Sequence, residues 1–385
     1  VIRVALVHDW LTGMRGGEYV LEALAGLFRE PTLFTLVHAR GRVSAELEAL
    51  PIRESRLSRV PGIARNYRKF LPFMPGAIEA LDLSGFDLVV SSSHCVAKGV
   101  RKDRDAVHVS YVHAPMRYMW DRFDEYFGPG KASAPVRAAA RLCQPWLRRW
   151  DRRASQADRV DVLVANSRFI GEQILRAYGR DAAVVHPFAD LARFAGPRRP
   201  EAFYLGVSAF APYKRLDLAI EAFNQLGLPL KIVGGGQDET RLRALAGPTV
   251  EFLGQVDNEE IARLYARARA FVFPGLEDFG ITPLEAMAAG CPVIAYAAGG
   301  ALDTVTSETG VLFGEQTVAG LCAAVMRVES GEARFAESAL RAQAARFTRV
   351  RFEDEMLKTL RAAWRARGKP AAALEAVLTR PLARF

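Results

Sequence analysis

Along this chain, short and almost wholly apolar runs alternate with longer stretches in which apolar residues recur every three or four positions. The runs "IRVALVHD" and "FDLVVSSS" read as buried strands, and "GGEYVLEALAGLF" as an amphipathic helix. "AVHVSYVHA" and "RVDVLVANS" repeat the strand pattern, each ending in small or polar residues before a helix-like segment. Such alternation predicts a parallel, doubly wound sheet, because parallel strands need helical crossovers that bury both faces. After "AVVHPFADLARFAGPRRPEA" the rhythm breaks at Pro197, Arg198, Arg199 and Pro200, a stiff polar connector, and then restarts. "FYLGVSAF", "LKIVGGG", "VEFLGQV", "FVFPG", "PVIAYAAGG" and "TGVLF" are the strands of a second sheet. "KRLDLAIEAFNQLG" and "DNEEIARLYARARA" are helices between them, the latter opened by Asp257 or Asn258 as cap. "RFTRVRFEDEMLKTLRAAWRARG" predicts a long amphipathic helix near the end, and the tail "KPAAALEAVLTRPLARF" has no evident place in either sheet.

The expected organisation is a first α/β domain over 1–195, a second over 196–347, and a helix and tail over 348–385 that return to the first. Two such domains leave a cleft facing the carboxyl ends of both sheets, where open α/β sheets bind ligands. A length of 385 residues fits two cores better than one. Half the residues are apolar and a quarter charged, with no uncharged apolar run of about eighteen residues that would span a bilayer. The start does not resemble a signal peptide, so a cytoplasmic location is expected. Cys95, Cys143, Cys291 and Cys322 are too scattered for a CxxC clamp or a disulfide framework and read as free thiols.

Net charge is +9, and the excess is clustered. Between Arg53 and Lys69 six basic residues face only Glu54, interleaved with Leu57, Val60, Ile63 and Tyr67 and followed by Phe70 and Phe73. Between Lys131 and Arg153 seven face only Asp151, with Trp146 and Trp150 among them. Basic segments mixed with aromatics suit an anionic membrane surface, so a peripheral position on the inner face of the cytoplasmic membrane is the companion expectation; a solvated helix face explains either segment equally well. No fingerprint of a nucleic-acid-binding module accompanies the charge.

The stretch "PGLEDFGITPLEAMAAGCPVIA" places two glutamates, Glu277 and Glu285, around a Gly-Ile-Thr-Pro turn. Thr282 as cap, Pro283 at the first helical position and Glu285 three residues on form a capping-box pattern, which accounts for Glu285 structurally. Glu277 lies before it, in a strand-end loop with Asp278, Phe279 and Gly280. An acid in the loop, main-chain amides over Phe279, Gly280, Ile281 and Thr282, and a second acid on the first helical turn suit a nucleotide sugar: Glu277 to sugar hydroxyls, amides to the diphosphate, Glu285 to the ribose. "LTGMRGGEYVLEAL" sets Arg15, Gly16 and Gly17 between strand and helix, a weaker phosphate-loop pattern that ordinary turn chemistry also explains. "SAFAPYKRLD" offers Lys214 and Arg215 as cations for a leaving diphosphate. Tyr111, Tyr118 and Trp120 fit either an acceptor-sugar floor or the core.

With seven residues between its two glutamates, and with "VLVANSRFIGEQI", "VVHPFADLARF", "YKRLDLAIEAF", "LKIVGGG" and "VEFLGQVDNEEIARLYARARAFVFPGLEDFG" in order, the chain resembles the retaining glycosyltransferases called glycosyl transferases group 1. The resemblance covers most of the chain. It implies the GT-B fold, an α/β architecture of two Rossmann-like domains with parallel sheets facing a central cleft. It also implies sugar transfer with retention, no metal and no cofactor. It assigns catalytic roles to His113 in "VHAP", Glu277 and Lys214. Donor contacts fall to Gly16, Gly17, Arg15, Arg215, Gly235, Asp278, Phe279, Gly280, Ile281, Thr282 and Glu285.

The family's arginine ahead of Lys214 is absent, Ser208, Ala209 and Phe210 standing there, so that Arg215, Arg15 or Lys214 alone must serve. Asp303 stands where relatives often carry Glu. "HDWLTGMRGGE" and "VHAPMRYMWD" look most like bacterial mannosyltransferases that use GDP-mannose to build lipid-linked surface polysaccharide. The expected partners are therefore a nucleotide-sugar donor and a polyprenyl-diphosphate-linked or other glycan acceptor. A UDP-sugar donor and a non-catalytic nucleotide-binding protein are the alternatives. Sugar-nucleotide epimerases share the fold but lack this signature, and a phosphorylase would need a lysine-bound pyridoxal phosphate for which no motif is present.

Overall fold

A computed structural model describes residues 2–128 and 132–380. The chain divides into two compact units, one of Val1–His186 with Phe352–Phe385, the other of Pro187–Arg351.

The first unit is built on a parallel sheet of β1 (Val4–His8), β2 (Thr32–Thr35), β3 (Ile52–Glu54), β4 (Leu88–Ser93), β5 (Val107–Val112), β6 (Val162–Ala165) and β7 (Ala183–Val184). Their order is β3-β2-β1-β4-β5-β6-β7, so the winding reverses between β1 and β4. β1, β4 and β5 are buried along their whole length and take the centre, as apolar runs covered on both faces must. β3 carries exposed Arg53 and Glu54 at the edge, where charge discourages further strand pairing.

The second unit repeats the plan with β8 (Tyr204–Val207), β9 (Leu230–Val233), β10 (Val250–Gly254), β11 (Phe271–Phe273), β12 (Val293–Tyr296) and β13 (Gly310–Phe313). Here the order is β10-β9-β8-β11-β12-β13, and the reversal falls between β8 and β11. In both units the loops beyond the carboxyl ends of the two reversing strands diverge, which leaves a crevice in an open α/β sheet.

The passage between units comes at His186–Pro187, ahead of the connector read from the sequence. Ala189 and Phe194 already belong to the second core, beside Leu205, Tyr265 and Phe271. The Pro197–Pro200 stretch is strapped to the second unit, with Arg199 N donating to Ala266 O (3.0 Å) and the Arg198 guanidinium to Arg269 O (3.1 Å). The helix Arg349–Ala366 buries Phe352, Met356, Leu360 and Trp364, and from Phe352 onward it is part of the first unit, its Phe352 ring 5.6 Å from that of Tyr111. The tail finds a place after all: Leu378 bridges Phe28 in antiparallel fashion and Thr379 N donates to Leu27 O at 3.0 Å. Asp257 is the cap of the helix Asn258–Arg267, its carboxylate accepting from Glu260 N at 2.8 Å. Cys95 and Cys291 are buried and Cys143 and Cys322 partly so, all as free thiols. Among the described residues no helix is long and apolar enough to cross a membrane.

Candidate functional site

In the second unit, Lys214 and Glu277 come from the loops that follow β8 and β11, the two strands flanking the reversal. Lys214 ends a single 3₁₀ turn, Pro212–Lys214, and Arg215 then takes a left-handed backbone (φ 52°) before the helix Leu216–Leu226. A non-glycine residue in that conformation is strained and needs support. Arg215 has it: its guanidinium meets Asp217 Oδ1 and Gln316 Oε1, each at 3.2 Å. The loop after β11 passes directly over this turn. A Cβ at Gly275 would stand 2.8 Å from Tyr213 O and 2.9 Å from Lys214 Cα, so the crossing admits only glycine. The Lys214 ammonium consequently donates to the Glu277 carboxylate, the two side chains 20% and 14% exposed, shielded yet reachable from solvent.

The far side of the loop is fixed as closely. Gly300 N donates to Glu277 O at 2.9 Å, and a Cβ at Gly300 would lie 2.1 Å from Phe279 Cα. Gln316 Nε2 donates to Pro274 O at 2.9 Å, so that one amide ties Arg215 to the β11 loop. Asp278 and Gly280 follow Glu277 along the loop, both partly exposed. Gly235, after β9, accepts from Phe210 N at 2.9 Å, which places the stretch standing in for the missing arginine against the glycine loop. Phe279 is a core residue, 4% exposed with its ring centroid 5.8 Å from that of Phe347, so any donor contact from it would be through its main chain.

The capping box expected at Thr282 and Glu285 does not form. Ile281 is already helical (φ −80°, ψ −36°), the helix runs Thr282–Ala288, and Thr282 lies inside it with no side-chain cap bond. The helix starts one residue early because Leu284 N and Glu285 N both reach Ile281 O, at 2.9 and 3.2 Å. Glu285 is thereby freed from the capping role. Its carboxylate lies 3.5 Å from the Tyr265 hydroxyl, and burial pushes its pKa up to about 7 against the opposing pull of Arg193.

The first unit assembles a cluster that sequence reading found only in part. Three strands end in or beside histidine: His8 closes β1, His94 follows β4 and His113 follows β5. Parallel register sets His8 beside Ser92. The Ser92 hydroxyl lies 2.8 Å from His113 Nε2 and 3.2 Å from His8 Nδ1, which also donates to Ser92 O at 3.1 Å. His94 Nδ1 is 3.2 Å from Asp9, whose fully buried carboxylate accepts four main-chain N–H bonds, from His94, Cys95, Val96 and Ala97, at 2.6 to 3.0 Å. Burial works to raise the Asp9 pKa, but His94, His8 and the main-chain donors outweigh it and hold it below the ordinary value. Burial lowers His94 to about 4 and His113 well below its usual range, so both imidazoles are neutral near pH 7.

Gly17, the second residue of the helix Gly16–Ala25, brings its backbone against this cluster, a Cβ there lying 3.7 Å from both the His113 and His8 rings. Arg15 is the residue before that helix, its N–H bonded to Glu18 Oε2 at 3.1 Å. Glu18 in turn points its other oxygen at His8 Nε2, 3.9 Å away. Tyr111 is core, its hydroxyl donating to Val185 O, while Trp120 Nε1 donates to Asp151. His8, Asp9, Glu18, Ser92 and His94 escaped sequence reading, and the signal was the recurrence of histidine at three strand ends. No group of His, Cys, Asp or Glu among the described residues is arranged to hold a metal ion.

Comparison with known proteins matches residues 190–347 to the family described as Glycosyl transferases group 1 and residues 15–193 to Glycosyltransferase Family 4. The chain is 33% identical over 182 residues to D-inositol 3-phosphate glycosyltransferase of Mycobacteroides abscessus, an alignment covering 40% of this chain and 41% of that protein. It is 32% identical over 199 residues to a GDP-mannose-dependent alpha-mannosyltransferase of Mycolicibacterium smegmatis, covering 51% and 46%. The chain thus spans less than half the length of either relative. Sucrose-phosphate synthase from Thermosynechococcus elongatus has a similar backbone, with TM-score 0.69 at 21% identity over 95% of this chain and 100% of that one. With adjoining family matches over both units and two Rossmann-like sheets of one winding, the chain belongs to the GT-B glycosyltransferases of group 1 and family 4.

Proposed function

We propose that the protein is a retaining glycosyltransferase that moves a hexose, mannose from GDP-mannose first among the candidates, onto a lipid-linked or other polysaccharide-precursor acceptor at the inner face of the cytoplasmic membrane. The observation that carries this reading is the Lys214–Glu277 pair beyond the carboxyl ends of β8 and β11. An ammonium and a carboxylate side by side suit the two ends of a sugar diphosphate. Lys214 turns to the phosphate, where negative charge grows as the C1–O bond breaks, and Glu277 is released to accept hydrogen bonds from sugar hydroxyls. The main chain of Gly280–Thr282 offers further donors to the diphosphate, and Glu285 takes the ribose.

The acceptor oxygen bonds to C1 on the face the phosphate leaves, and its proton passes to the departing phosphate oxygen. Glu277 positions and stabilises charge in this scheme and forms no covalent intermediate. His113 is kept neutral by burial and held at Nε2 by Ser92, which suits hydrogen bonding to the transferred sugar. With Ala209 in the region of the usual arginine and Arg215 engaged by Asp217 and Gln316, Lys214 is the principal cation for the phosphate. The mannose donor draws support from the GDP-mannose dependence of the Mycolicibacterium relative.

The test is a calorimetric and turnover screen of the purified protein against GDP-mannose, UDP-glucose and UDP-N-acetylglucosamine, with the anomeric configuration of the product read by NMR. Turnover with inversion, or nucleotide binding with neither hydrolysis nor transfer, would overturn the reading, the latter in favour of a binding protein. Turnover of a UDP-sugar alone would replace the donor.

A further inference from the structure

We propose that the outer face of the helix Ala134–Ala154 is a docking surface for an anionic lipid bilayer. The inner face of this helix is fully committed. Leu147 and Ala154 are buried, and Ala140, Cys143 and Trp150 pack on the first unit's core. The one acid of the helix, Asp151, is buried and consumed internally: Lys98 Nζ lies 2.7 Å from it, and Trp120 Nε1 and the Tyr178 hydroxyl donate to it at 2.8 and 2.9 Å. Arg148 donates to Met119 O at 2.6 Å and to Trp120 O at 3.1 Å, a further tie to the body. A helix clamped this firmly presents its other face as a rigid surface.

That other face joins two properties that water alone does not favour. Leu142 is 83% exposed and Trp146 47%, one helical turn apart, with Val136 also half exposed. Arg149 continues the same stripe three residues on, and Arg141 flanks it. Among the described residues no ion pair engages Arg137, Arg141 or Arg149, and the only acid of the helix is already neutralised by Lys98. Leucine and tryptophan standing proud between unpaired arginines is the pattern of a helix lying in a bilayer interface, the apolar tips among acyl chains and the guanidinium groups at the phosphates. A nucleic acid would use the arginines but offer nothing to Leu142.

The same unit carries a second basic region. Arg56, Arg59, Arg65, Arg68 and Lys69 are exposed around Leu57, Val60, Ala64 and Phe70, which pack into the same core as Cys143 and Trp150. Ile63 and Tyr67 are buried there, whereas Phe73 is 65% exposed. Lys131 lies outside the described residues. The proposal rests on the lipid-linked acceptor reading for its use, because such an acceptor is presented at this kind of surface, but the docking needs only the helix.

The experiment is co-sedimentation of the full chain with vesicles of phosphatidylglycerol mixed with phosphatidylcholine and with phosphatidylcholine alone. Binding is expected to the anionic vesicles only, weakened by salt, with a blue shift of fluorescence that disappears in Trp146→Phe. Leu142→Ser with Trp146→Ser should weaken partitioning at least about tenfold, and each of Arg141→Gln and Arg149→Gln about fivefold. All four sites are exposed, so unchanged thermal melting certifies that the variants are folded. The proposal is overturned if the wild-type protein stays in the supernatant, or if the variants bind as it does. It is equally overturned if sedimentation velocity shows Leu142 and Trp146 holding a dimer. Vesicle binding without sugar transfer would retract the catalytic reading and leave this one; transfer to a soluble acceptor by a protein that ignores vesicles would do the reverse.

Discussion

The ammonium of Lys214 donates to the carboxylate of Glu277, so each side chain satisfies the other. On the proposed reading a donor divides this pair, and each half can be tested separately. Lys214→Met should lower kcat by about 100-fold or more, the cost of losing one charged group aimed at a developing anion. Glu277→Gln should damage turnover comparably while leaving diphosphate binding intact, since only the sugar contact is lost. Both side chains are partly wet, so melting temperatures should move little. Steady-state kinetics with calorimetry of the nucleoside diphosphate checks this; normal turnover by Lys214→Met would show that the pair is merely structural.

Gly275 makes that pair possible. The turn of Tyr213 and Lys214 leaves no room for a methyl group, the nearest atoms being backbone and unable to swing aside. Gly275→Ala should therefore cost about 1–3 kcal/mol, the usual range for forcing extra atoms into a packed site, and displace Lys214 as well. Urea denaturation gives the first quantity and donor affinity the second. A variant with unchanged stability and affinity would mean that the two loops are not held together as described.

How much of this was legible beforehand differs between the units for physical reasons. Central strands such as β1, β4, β5 and β12 were visible because burial on both faces favours short runs of apolar and small residues without an exposed polar alternation. β2, β3 and β7 were missed: four, three and two residues long, and two of the three residues of β3 charged, they leave little periodicity to read. The motif around Glu277 was local in sequence and so could be seen. The Asp9–His94 and His8–Ser92–His113 contacts join residues on three strands, and register alone reveals them. The capping box failed for a subtler reason, since nothing in "GITPLE" forbids Ile281 from being helical one residue early. The connector at Pro197–Pro200 was read from composition, whereas the chain had already committed Ala189 and Phe194 to the second core.

Glu285 has a pKa of about 7 through burial, and this predicts a pH dependence of definite sign. A carboxyl whose folded pKa lies above its unfolded value of about 4.5 makes the native state bind more protons between the two, so stability falls as pH rises through that window. Glu285→Gln removes the penalty. Relative to wild type the variant should gain on the order of 2 kcal/mol between pH 5 and pH 8, after allowance for partial exposure. It should also bind donor less well if the carboxylate takes the ribose hydroxyls. Chemical denaturation across that range is the check, and a gain that did not grow with pH would place the ionisation elsewhere.

The first unit should respond to acid in the opposite sense. His108 is fully buried, with Nδ1 donating to Arg159 O at 3.0 Å and Nε2 2.8 Å from the Ser91 hydroxyl; burial lowers its pKa to about 4, as it does for His94. For each, the unfolded chain binds a proton near pH 6.5 that the native state refuses until about pH 4. The stabilisation is therefore whole above pH 6.5 and drains as pH falls toward 4, a loss on the order of 2 kcal/mol for the fully buried His108 between pH 7 and pH 5, and less for His94, whose side chain is 27% exposed. The Asp9 carboxylate, whose pKa is depressed, keeps its contribution through this range and yields it only at lower pH. Replacing His108 by Gln removes one titrating group, and even if that variant is weaker at pH 7, its stability should decline less steeply on acidification. The slope of unfolding free energy against pH is the readout, and a slope unchanged from wild type would mean that His108 is already protonated in the fold or reachable by water.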